Sequence, residues 1–94
     1  HLYEPAADLA VAMALVSGLR DIPIDQDTIA FGEIGLSGEI RTVPRVEARI
    51  NEAARLGFTK CILPKASLKQ ISHRPAMMEL IGVSTLTEAL SYIR

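Results

Sequence analysis

The chain has 94 residues, enough for one small domain, taken here as 1–94, with one core. Its apolar share of 49% includes few aromatics (Tyr3, Phe31, Phe58 and Tyr92), so an aliphatic core is expected and no row of aromatics is laid out for stacking bases. A net charge of −1, one cysteine and no apolar run of about 18–20 residues exclude an internal disulfide and a membrane-spanning helix, and favour an intracellular origin.

The small net charge hides a split. Residues 1–40 carry seven acids (Glu4, Asp8, Asp21, Asp25, Asp27, Glu33, Glu39) against Arg20, a balance of −6. Residues 41–74 carry eight bases (Arg41, Arg45, Arg49, Arg55, Lys60, Lys65, Lys69, Arg74) against Glu47 and Glu52, a balance of +6. Such a basic segment suits an anionic partner, and it equally suits a solvated face balanced by the acidic half.

The opening HLYEP reads as the end of a strand. Pro5 suits the first turn of a helix, where a missing N–H costs nothing, and the helix is expected over Ala6–Leu19. From Leu9 to Val16 it is apolar without interruption. That predicts burial all round, or burial on one side and a subunit contact on the other. Residues 28–34 (TIAFGEI) and 38–43 (GEIRTV) read as two strands joined by a turn at Gly35–Gly38, a hairpin in which Ser37 is a turn residue.

Pro44 opens a second helix that runs to about Leu56. Val46, Ile50, Ala53 and Ala54 recur at helical spacing, Arg45, Arg49, Glu52 and Arg55 take the opposite side, and Gly57 suits the C-cap. KCILP at 60–64 reads as a short buried strand, 66–71 as a helical turn with Ser67 a cap candidate, and 79–83 as a strand. Thr85 with Glu88 three residues on forms the capping-box pattern of a final helix. This order predicts an α/β or α+β domain with helices packed on a small mixed sheet and a hairpin. Cys61 reads as a small buried residue, His73 as a solvated loop histidine without a second ligand spaced for a metal, and Met77-Met78 as core or interface filler.

Several segments resemble the Lon protease proteolytic domain. Glu4-Pro5-Ala6-Ala7-Asp8 matches the family's Gly-Pro-Ser-Ala-Gly stretch, with Ala6 at the serine. Gly32-Glu33-Ile34-Gly35-Leu36-Ser37-Gly38 is similar to its hairpin Thr-Gly-Glu-x-x-Leu-x-Gly. Counted on without gaps, the family's catalytic lysine falls on Glu47. The resemblance covers about residues 4–90 and implies the Lon-like fold, also known as the ribosomal protein S5 domain 2-like fold. It also implies degenerate catalytic positions: a methyl carries no lone pair for attack, and a carboxylate cannot act as a neutral amine. A relocated serine–lysine dyad would have to come from Ser17, Ser37, Ser67, Ser72, Ser84 or Ser91 with Lys60, Lys65 or Lys69.

More specifically, EPAADLAV, GEIGLSGEIR and RVEARINEAARLGF resemble the C-terminal Lon-like domain of the RadA (Sms) family of bacterial DNA-repair proteins. That resemblance implies a cytoplasmic, ring-forming parent, expected to be hexameric, that acts on DNA in repair and recombination. It also implies a RecA-like ATPase and a zinc finger ahead of this domain, so ATP, Mg and Zn are expected only there. The 94 residues hold no phosphate-binding Gly-x-x-x-x-Gly-Lys loop and too few cysteines for the finger. Expected for the domain itself are no catalysis, no metal and no cofactor. Its role would be scaffolding of the ring, with DNA contact. Arg41, Arg45, Arg49 and Arg55 are the candidates to meet DNA phosphates or a neighbouring subunit.

Overall fold

The computed structural model describes residues 4–94, so the strand end read at residues 1–3 lies outside the described residues. The chain forms helix α1 (Asp8–Arg20), strands β1 (Thr28–Ala30), β2 (Glu33–Ile34) and β3 (Ile40–Arg41), helix α2 (Val46–Arg55), strands β4 (Lys60–Pro64) and β5 (Glu79–Val83), and helix α3 (Leu86–Leu90). 3-10 turns at Pro5–Ala7 and Lys65–Gln70 precede α1 and follow β4.

The mixed α/β class is as the sequence predicts. The strands divide into two sheets: a parallel one of order β1-β4-β5, and the antiparallel pair β2-β3. The run 28–34 is therefore two strands. Phe31 still donates its N–H to Ile62, but Gly32 turns its N–H to the Ala6 carbonyl, and Leu9 donates back to the Gly32 carbonyl. Those two bonds pull the chain off the parallel sheet and onto the start of α1. A bridge between Glu39 and Thr85 ties the pair to the turn before α3.

Alternation along the parallel strands puts a core on each face of the sheet. Cys61 and Leu63 of β4 join Val43, Val46, Ile50, Ala53 and Ala6 on the α2 face. Ile62 between them joins Leu9, Met13, Val83 and Ala89 on the face covered by α1 and α3. Three strands thus sit between helices, as expected for parallel strands whose crossovers carry helices.

The helix ends follow local chemistry. After α2, Phe58 N–H reaches the Ala53 carbonyl and Gly57 N–H the Ala54 carbonyl, a Schellman motif with Gly57 at φ 101°. Phe58 and Ala53 both belong to the α2-side core, the apolar contact that usually accompanies this motif. At α3, the Thr85 hydroxyl accepts the Glu88 N–H, while the Glu88 carboxylate accepts from Ser84 N–H, one residue before the cap. Ser67 caps nothing: Pro64 holds the N-cap position of its turn, and the serine hydroxyl is buried without a hydrogen bond. Met78 is buried, whereas Met77 is 88% exposed.

Candidate functional site

Ala6 sits in the 3-10 turn ahead of α1 and is only 3% exposed. Its methyl is a core atom in the cluster with Val43, Val46 and Ile50. Glu47, in the first turn of α2, sends its carboxylate elsewhere: Oε2 accepts the backbone N–H groups of Ser72 at 2.9 Å and His73 at 2.7 Å. It pins the loop that follows the second 3-10 turn. Among the described residues no serine hydroxyl is hydrogen-bonded to a lysine, and Lys60 lies 3.7 Å from Asp25.

The arginine row does not act as one strip. Arg41 pairs with Glu39 at 3.0 Å within the hairpin, and Arg55 pairs with Glu52 one turn away on α2. The Glu39 carboxyl is held below its ordinary range by backbone N–H donors and by Arg41, and that of Glu52 by Arg55, whose own ionisation is raised in return. Arg49 is fixed from three sides. Its Nε donates to the Pro44 carbonyl at 2.8 Å, its Nη2 to Glu4 at 3.1 Å, and its guanidinium lies 6.0 Å from the Phe31 ring centroid. Arg45 alone of the four makes no ion pair among the described residues.

Arg45 and Arg49 border a shallow groove of ≈ 380 Å³ whose floor includes Ile29, Phe31, Ala53 and Leu56. Arg41 and Arg55 do not line it. The backbone of Arg45 lies in the left-handed region at φ 55°, immediately before α2 and without a side-chain cap. A non-glycine residue is uncommon there and costs about 1–2 kcal/mol. The sequence reading missed Phe31 and Glu4, which reach Arg49 from 18 and 45 positions away. The only sequence signal for either is that Phe31 extends the apolar run of β1, which directs it to one face or the other.

Among the described residues no group of three or more His, Cys, Asp and Glu is placed to hold a metal ion. No helix among them is long and apolar enough to cross a membrane. Cys61 is fully buried, and burial pushes its thiol up to about 12.

Residues 4–67 match the family described as subunit ChlI of Mg-chelatase, more than half of the chain. The chain belongs to this family. The shared segment runs from the turn at Ala6 through β4 and into the following 3-10 turn, so it holds Ala6, Glu47 and the whole arginine row. Curated relatives extend the likeness to the end of the chain. The DNA repair protein RadA of Streptococcus pneumoniae is 51% identical over 98% of this chain, covering 22% of that protein. The DNA repair protein RadA of Escherichia coli is 49% identical over 94% of the chain and 19% of its own length, and that of Salmonella typhimurium matches to the same extent. The resemblance to the RadA family therefore holds over nearly every residue. The chain spans about a fifth of the length of the curated relatives it matches.

Proposed function

We propose that this chain is the non-proteolytic, Lon-like domain of a RadA-type DNA-repair protein, and that it serves as a scaffold there, supporting ring assembly and contacting DNA. The observation that carries this reading is the burial of Ala6. At the position where a serine nucleophile would stand, the chain has a core methyl at 3% exposure, inside a sequence about half identical to proteins named for DNA repair. Glu47 supports it, because its carboxylate is committed to the Ser72 and His73 backbone. In this reading the parent is a DNA-dependent ATPase that assembles as a hexameric ring in the cytoplasm, and its ATP, Mg and Zn sites lie outside these residues.

In-chain ion pairs neutralise Arg41, Arg49 and Arg55, which favours subunit contact over phosphate contact for that row. The contribution to DNA falls to the bases of the +6 segment that make no ion pair among the described residues, Arg45, Lys65, Lys69 and Arg74. Each neutralised phosphate steepens the salt dependence of binding by about one unit. Two measurements on the full-length protein test the reading. No peptide hydrolysis is expected; turnover that disappears on mutating one of the remaining serines would show a relocated dyad and overturn it. Lys65→Ala, Lys69→Ala and Arg74→Ala together should weaken DNA binding and flatten its salt slope. An unchanged slope with an intact ring would leave a purely structural assembly module.

A further inference from the structure

The loop between the second 3-10 turn and β5 is anchored at its two ends. Ile71 packs against the α2-side core, and Met78 is buried within it. Between them, Ser72, His73 and Arg74 make no backbone–backbone hydrogen bond among the described residues. Their one polar hold is the Glu47 carboxylate, whose Oε2 accepts from Ser72 N–H at 2.9 Å and His73 N–H at 2.7 Å. A single oxygen on the first turn of α2 therefore fixes the residue immediately before Arg74.

The same carboxylate leaves the arginine's charge uncommitted. Arg74 is exposed and makes no ion pair and no side-chain hydrogen bond among the described residues. It borders a shallow pocket of ≈ 260 Å³ shared with Leu68, Ile71, Ser72 and Leu80. Lys65 and Lys69, on the turn that leads into this loop, are exposed and outside ion pairs in the same way. A carboxylate so close to a basic surface has a cost, since it repels any phosphate that approaches. What it supplies in return is something a base cannot: an acceptor for two N–H groups that would otherwise leave the loop loose.

We infer that Glu47 is a positioning residue for a phosphate contact made by Arg74. It holds the loop so that the guanidinium meets the DNA backbone without the cost of ordering the segment on binding. This role rests on the DNA-contact reading above, and it names the residue that sets the geometry of one contact. Positioning and plain electrostatics call for opposite signs. If Glu47 acts only as a like charge beside the site, its removal tightens DNA binding. If it positions Arg74, its removal weakens binding even though the surface becomes more positive.

The test measures DNA binding by the full-length protein across a salt series. Arg74→Ala should lower the salt slope by about one unit, the share of one phosphate. Glu47→Ala should lower it to a similar extent, and the double variant no further, because both changes remove the same contact. Glu47→Gln keeps an acceptor oxygen without the charge, so it should retain the wild-type slope. Hydrogen exchange read by mass spectrometry over residues 71–74 gives a second measurement. Exchange should quicken in Glu47→Ala and stay slow in Glu47→Gln. Tighter binding by Glu47→Ala, an unchanged slope despite faster exchange, or Glu47→Gln behaving like Glu47→Ala would each overturn the positioning role. A general loss of folding is separated from it by Arg74→Ala, which removes an exposed side chain without internal partners. If that variant binds as the wild type while the triple change at Lys65, Lys69 and Arg74 still weakens binding, the positioning role fails and the DNA contact stands on the two lysines. An unchanged slope in the triple variant sinks both.

Discussion

A carboxylate at position 47 holds two backbone N–H groups that a lysine there would repel. Two other residues yield measurable consequences. Arg45 keeps a left-handed backbone that glycine adopts freely, and glycine is also acceptable at an N-cap. Arg45→Gly should therefore stabilise the fold by about 1 kcal/mol in urea unfolding, against the usual direction of a point change. A loss of stability would show that the side chain is needed for folding. Cys61 holds its proton more tightly folded than unfolded, since its thiol rises from 9.0 to about 12 through burial. Its contribution to stability is intact below pH 9.0 and falls as the pH climbs toward about 12. At neutral pH a thiol reagent should label it only through opening of the fold, so labelling rates in rising urea should track unfolding.

The hairpin shows how one element depends on an absent side chain. The Glu39 carboxylate folds back over the turn, accepting from Ser37 N–H and from Arg41. A Cβ on Gly35 would stand 2.0 Å from its Oε2. Gly35→Ala should push that flexible carboxylate into solvent and return its titration from the lowered range to the ordinary 4.5, followed by NMR. The depressed carboxyl stabilises the hairpin above its ordinary value and loses that effect as the pH falls through the folded one, so the variant's hairpin should be the less pH-sensitive of the two. An unmoved titration would show that the carboxylate is held from elsewhere. This clamp was illegible in the sequence, which announced only the turn. Thr85 with Glu88, and Gly57 after α2, were legible because caps and Schellman ends are written within six residues. The break between β1 and β2 was hidden because its cause, the Gly32–Ala6 and Leu9–Gly32 bonds, joins segments more than twenty positions apart.

For the molecule as a whole, the two cores on opposite faces of the parallel sheet set the terms of stability. Ile50 and Ile62 are both fully or almost fully buried, one in each core. Ile50→Ala and Ile62→Ala should each cost about 2–5 kcal/mol. With no shared cluster, the double variant should lose close to the sum. A shortfall well beyond about 0.5 kcal/mol would show that the sheet transmits strain from one face to the other. Much of this architecture could be read from residue order, because the apolar run KCILP announces a strand buried on both sides. Where the arginines end their reach could not, since Glu4 finds Arg49 across 45 positions of chain.

Strand β4 supplies both cores from alternate residues, Cys61 and Leu63 to one side and Ile62 to the other. The domain therefore has no seam. A cut anywhere that removes this strand empties both halves at once, and a slip of one position would exchange their linings. Such a module can be inherited, transplanted or lost only whole, which suits a part that makes up about a fifth of much longer relatives and is about half identical to them.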